Sequence, residues 1–92
     1  MESIVELRHL RTLVALQETG SVSLAAQRVF LTQSALSHQI RLLENHFETP
    51  LFERKSAPLR FTPAGERLLK LARELLPRVA DAERDLIQIV HG

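Results

Sequence analysis

No cysteine occurs in the chain, which excludes disulfides and thiolate metal sites and agrees with a reducing compartment. Tryptophan and tyrosine are missing too, which argues against single-strand nucleic-acid binding on aromatic stacking platforms. The three glycines form no phosphate-cradling loop, and neither HExxH nor GxSxG is present. Four histidines, His9, His38, His46 and His91, are scattered without metal-ligand spacing. With no catalytic constellation assembled, neither an enzyme nor a cofactor or metal site is expected. No apolar run approaches the ~20 residues that span a bilayer. No basic segment followed by an apolar one opens the chain, so no signal peptide is expected.

What is present is enough chain for one small domain. Its 92 residues are 45% hydrophobic and 25% charged, ordinary for a soluble globular fold. The net charge of +1 does not by itself suggest nucleic acid. Between positions 28 and 60, Arg28, Arg41, Arg54, Lys55 and Arg60, with His38 and His46, face Glu44, Glu48 and Glu53. So modest an excess of cations acts on DNA only if the fold gathers it on one face.

The stretch TQSALSHQIRLLENHF, 32–47, reads as one amphipathic helix capped by Thr32. Leu36, Ile40, Leu43 and Phe47 recur at helical spacing and share a face. Ser34, Ser37, His38, Arg41 and Asn45 fall opposite, a polar face with no acid in its first three turns. One side of such a helix can be buried while the other enters the DNA major groove, which presents donors and acceptors of its own. The bland alternative is a solvated helix face.

The neighbouring segments favour the groove. A helix over 4–18 buries Leu7, Leu10, Leu13 and Val14 and leaves Arg8, Arg11 and Glu18 in water. Gly20 is placed to end it in the left-handed conformation. A short helix over 24–29 follows, capped by Ser23, and Ala25-Ala26 lets another helix cross closely, as in a helix-turn-helix. Val29, Leu31, Leu36 and Ile40 close a core under the pair. After Pro50 the period shortens to two. Segments 51–54 and 59–62 read as a hairpin wing, with Arg54, Lys55 and Arg60 near its tip and Phe52, Leu59 or Phe61 leaning on the core. Thr62-Pro63 then opens a long helix to about residue 90, with Pro77 expected to bend it. Leu68, Ala72, Leu75, Val79, Ala82, Leu86 and Ile89 form a heptad seam, and Leu69, Leu76 and Val90 a second, partial stripe. The seam suits dimerisation; its alternative is to fold back on the head.

The run from Leu7 through Gly65, with LRHLRTLVAL, GSVSLAAQRVFLTQSALSHQIRLLE and PLFERKSAPLRFTPAG, resembles the DNA-binding domain of LysR-type transcriptional regulators. TQSALSHQ and RKSAPLRFTPAG look most like its methionine-biosynthesis branch. The resemblance implies a helix-turn-helix over 21–40, a wing over 51–62 and a linker helix over 63–92 that dimerises. It also implies a larger effector-binding domain outside this chain, with homocysteine as effector. Tetramers, contact with RNA polymerase and a cytoplasmic, nucleoid-associated location are implied for the whole protein.

Roles carry over by position. Gln33 matches a family glutamine that bonds base edges or phosphate, and Ser37 a serine that touches either. Ser34 stands where many members have proline, exchanging a thymine-methyl contact for a hydrogen bond. His38 replaces a common arginine and with it bidentate guanine recognition. Thr32 and Arg41 are placed for phosphates. In the wing Arg54 matches a family arginine, while Ala57 occupies a position often basic in relatives, leaving minor-groove insertion to Lys55. Plainer roles stay open: a cap for Thr32, an ion pair with Glu44 or Glu48 for Arg41, solubility for Arg54 and Lys55, and either surface or phosphate for Arg28.

The expected protein is therefore an all-α winged helix-turn-helix over 4–62, followed by a dimerisation helix over 63–92. As a dimer it would read a pseudo-palindromic operator in double-stranded DNA. An RNA-binding winged helix and a protein-interaction module are the alternatives.

Overall fold

Local capping sets the helix boundaries. A computed structural model describes residues 3–53 and 58–92, and four helices account for most of them. The first, α1, is Leu7–Thr19 and starts later than the expected 4–18 because Glu6 and His9 form a capping box. The Glu6 backbone N–H donates to His9 Nδ1 at 3.0 Å. Gly20 ends α1 at φ 67°, its N–H reaching Leu16 O at 2.8 Å.

The second helix, α2, is Val22–Arg28. Its cap is Ser21, not Ser23: Ser21 is the residue left extended after the glycine turn, and its Oγ accepts from Leu24 N at 3.2 Å. The third, α3, is Gln33–Phe47, capped as expected by Thr32, whose Oγ1 accepts from Ala35 N at 3.0 Å. It ends at Glu48, which is left-handed at φ 53°.

The fourth, α4, is Pro63–His91, opened by Thr62 and Pro63 and unbroken at Pro77. Its length is about 43 Å at 1.5 Å per residue. No helix among the described residues is long and apolar enough to cross a membrane.

The core lies where three helices close on α1. Leu10, Leu13, Ala15 and Leu16 meet Ala25 and Ala26 of α2, Leu36 and Ile40 of α3, and Leu69 and Ala72 of α4. Leu7 and Val14 are only partly buried, and Leu16 is a core residue outside the expected stripe. A helix with neighbours on three sides buries more than one stripe, and so His9 and Thr12 are buried as well. Thr12 Oγ1 donates to Gln39 Oε1 at 2.8 Å, which ties α1 to α3. Phe47, expected on the buried face of α3, is the last residue of that helix and is 45% exposed.

Among the described residues the expected two-stranded wing shows one antiparallel bridge, Phe52–Phe61, with Glu53 N donating to Arg60 O at 2.9 Å and Thr62 N to Leu51 O at 3.0 Å. Arg54 and Lys55 lie outside the described residues. Two paired chains without a third strand have little to hold a ladder. The pair is anchored instead by its rings: Phe52 and Phe61 pack edge to face, centroids 4.6 Å apart. Phe52, Leu59 and Phe61 all lean on the helical core, as expected. Gly65 sits where any Cβ would overlap the carbonyl oxygen of Leu51. Only glycine lets the start of α4 press against that strand.

Candidate nucleic-acid interface

The outward face of α3 presents the residues singled out in the sequence. Thr32, Gln33, Ser34, His38 and Arg41 are exposed, and Ser37 is half-buried at the edge. The side chains of Gln33, Ser34, Ser37, His38 and Arg41 make no hydrogen bond or ion pair with the described residues. Their donors and acceptors are therefore available without breaking an internal contact. Leu36, Ile40 and Leu43 hold the opposite side in the core. The first turn carries no acid, so its free N–H groups and the helix dipole make that end attractive to phosphate. Thr32 Oγ1 accepts the capping bond, which leaves its own hydrogen to donate outward.

Arg41 makes no ion pair among the described residues. Glu44, a candidate partner, is turned to the strand, where Oε2 accepts from Leu51 N at 2.7 Å. That bond fixes the start of the wing segment to the last turn of α3, a link with no signal in the local sequence pattern. Arg28 pairs instead with Glu18 at 2.8 Å, an exposed bridge worth about 0–1 kcal/mol. Of the wing cations, Arg54 and Lys55 lie outside the described residues. Among the described residues no group of three or more His, Cys, Asp or Glu gathers to hold a metal.

The expected dimer seam divides in two. Ala72 is fully buried by its own chain, and Leu68 and Leu75 are half-buried against the same core. Ala72 thus has no surface to give a partner: the crossing with α1 takes it first. Leu69 and Leu76 pack on the head as the second stripe should, but Val90 is exposed. Beyond residue 80 every residue of α4 is exposed, including Ala82, Leu86 at 59% and Ile89 at 78%.

The family of bacterial regulatory helix-turn-helix proteins called the lysR family matches residues 7–66, which take in α1, α2, α3 and the first turn of α4. The chain belongs to the lysR family. It is 69% identical over 90 residues to the HTH-type transcriptional regulator MetR of Haemophilus influenzae, covering 98% of this chain and 29% of that protein. It is 52% identical over 79 residues to MetR of Escherichia coli K12, covering 86% of this chain and 25% of the relative. The chain thus spans less than a third of the curated relatives it matches. Those relatives are transcriptional regulators, not enzymes.

Among solved structures, the BenM DNA-binding domain in complex with benA site 1 DNA superposes with a TM-score of 0.85 at 38% identity, covering 96% of this chain and 99% of that one. Vibrio fischeri DarR in complex with DNA gives 0.83 at 31% identity, over 96% of this chain and 30% of DarR.

Proposed function

We propose that this chain is the DNA-binding part of a LysR-type transcriptional regulator that acts on methionine-biosynthesis genes. The observation that carries the reading is the free polar face of α3, mounted on a leucine and alanine core and oriented for a groove. The two DNA-bound relatives with the same fold support it, as do the two MetR sequences. Thr32, Arg41 and the wing residues Arg54 and Lys55 take phosphates and supply salt-dependent affinity. Gln33, Ser34, Ser37 and His38 face base edges and supply sequence choice.

Two copies pair through α4, chiefly along the exposed Ala82, Leu86 and Ile89 with Leu68, Leu75 and Val79 at its base. They bring their α3 helices to major-groove half-sites about one helical turn, roughly 34 Å, apart. In the whole protein, homocysteine acts as effector on parts outside these residues, RNA polymerase is a partner, and dimers pair into tetramers. The cytoplasm, at the nucleoid, is the site of action.

Protection mapping of the protein on genomic DNA at fixed salt tests the reading. Paired, symmetric footprints upstream of methionine-biosynthesis genes are expected. Protection without symmetry, or preference for duplex RNA in competition, overturns it.

A further inference from the structure

Thr12 is a polar residue in an apolar place. It is 1% exposed and lies on α1 among Leu10, Leu13 and Leu16. Its hydroxyl has one proton and two acceptors within reach, Gln39 Oε1 at 2.8 Å and Arg8 O at 3.0 Å. The Arg8 contact stays within α1, as threonine hydroxyls in helices commonly do. The Gln39 contact crosses to α3. Among the described residues no other side-chain hydrogen bond joins α3 to another helix.

Apolar burial holds α3 on the head without setting its angle. Leu36, Ile40 and Leu43 are buried, and the free energy of that burial follows area, not direction. Apolar cores lose a unique packing before they lose stability. A hydrogen bond has a length and an angle to satisfy, and a buried one is costly to leave unmade. At 100° per residue Gln39 stands about 60° around α3 from Leu36 and about 160° from Ser37 and Arg41. It grips the helix at the edge of the buried face and is not among the polar positions offered outward. A helix side chain ends about 5–6 Å from the axis, so a turn of about 10° carries the tips of Gln33, Ser34, Ser37 and His38 by about 1 Å. Direct recognition needs its groups placed to about 0.5 Å. Phosphate contacts carry no sequence information, and a long side chain such as Arg41 follows a shift of that size.

We propose that Thr12 and Gln39 are positioning residues for base readout: their bond fixes the rotation of α3 on α1 and so sets how sharply the protein separates its operator from other duplexes. This rests on the DNA-binding reading and adds two residues that touch no DNA. A buried polar pair in an otherwise apolar interface contributes a defined arrangement more than it contributes stability. Replacing both partners by apolar groups of like shape leaves nothing unsatisfied, so folding and discrimination can be separated by substitution.

The test compares the native full-length protein with the double variant Thr12→Val, Gln39→Leu and with Thr12→Ser, which keeps the hydroxyl. The probes are a duplex carrying a site found by protection mapping and a random duplex of the same length, at one salt concentration and well below every melting temperature. The double variant is expected to melt no lower than the native protein and to hold the random duplex equally well, while its ratio of operator to random affinity falls about tenfold. Thr12→Ser should keep the native ratio. An unchanged ratio in the double variant overturns the proposal. So does an equal loss on both duplexes, which would make the pair a structural bond only, or a loss in Thr12→Ser as large as in the double variant, which would assign the effect to the methyl group. Should the double variant fail to fold, Gln39→Met, which removes the amide alone, gives the same reading. If the native protein does not separate the two duplexes, the functional reading fails and this proposal falls with it; if only the variants behave as the native protein does, the proposal alone fails.

Discussion

At the residue scale, the polar positions of α3 divide by chemistry. Gln33 and Ser37 have no internal partner, so truncating either leaves nothing unsatisfied inside the protein. Gln33→Ala and Ser37→Ala are expected to weaken operator binding more than random-duplex binding, by about 1–3 kcal/mol of discrimination for a good base contact. Fluorescence anisotropy on both duplexes checks this; equal losses would move them to phosphate contact. Arg41→Ala should lower affinity on every duplex and flatten the salt slope by about 0.9. His9 is a different kind of residue. It is buried, and burial pushes its pKa below the ordinary 6.5, an effect that Glu6 opposes and Arg8 reinforces. The neutral ring is required because Nδ1 accepts the Glu6 N–H. A depressed histidine pKa means the unfolded chain binds more protons between the folded value and 6.5. Its contribution is therefore complete above pH 6.5 and is lost as pH falls through the folded value. His9→Gln keeps an acceptor for the capping box without titrating there. Thermal melts from pH 7.5 to 5 should show a shallower decline for the variant than for the native protein.

At the element scale, each helix begins where a side chain satisfies its first N–H groups and ends where the backbone turns left-handed or the contacts run out. The caps at Ser21, Thr32 and Thr62 repeat one device, an oxygen accepting from the N–H three residues on. The described residues of the wing segment are fastened by single contacts: Glu44 to Leu51 N, Thr62 Oγ1 to Pro50 O at 2.6 Å, and Phe52 against Phe61. Gly65 lets α4 approach this segment. Gly65→Ala should therefore push α4 from Leu51 and cost about 1–3 kcal/mol, as overpacking does. A melting temperature equal to the native one would show that the contact can relax freely.

At the scale of the whole molecule, α4 belongs to two structures at once. Its first half completes the head through Leu69 and Ala72, with Arg73 bonded to Gln17 of α1. Its second half carries Leu86 and Ile89 into solvent. A single chain gains nothing from burying what it cannot reach, so these positions are where a second copy would be felt. Leu86→Asp with Ile89→Asp is expected to leave the unfolding of the head unchanged while shifting the protein toward monomer in sedimentation. Operator affinity should fall as two half-sites become one. A dimer that survives both changes would place the contact nearer Leu68 and Leu75.

The amino-acid sequence by itself determined what is local. Hydrophobic period, the caps at Thr32 and Thr62, the glycine turn at Gly20 and the polar face of α3 all follow from neighbours within about four residues, where sterics and hydrogen bonding act directly. Tertiary structure alone decided which stripe of α4 the head would claim and that Glu44 would turn from Arg41 to Leu51. Those outcomes depend on contacts between different segments of the chain, α4 with α1 and the wing segment with α3. The period of a helix says which residues share a side, but only packing says which side meets a neighbour.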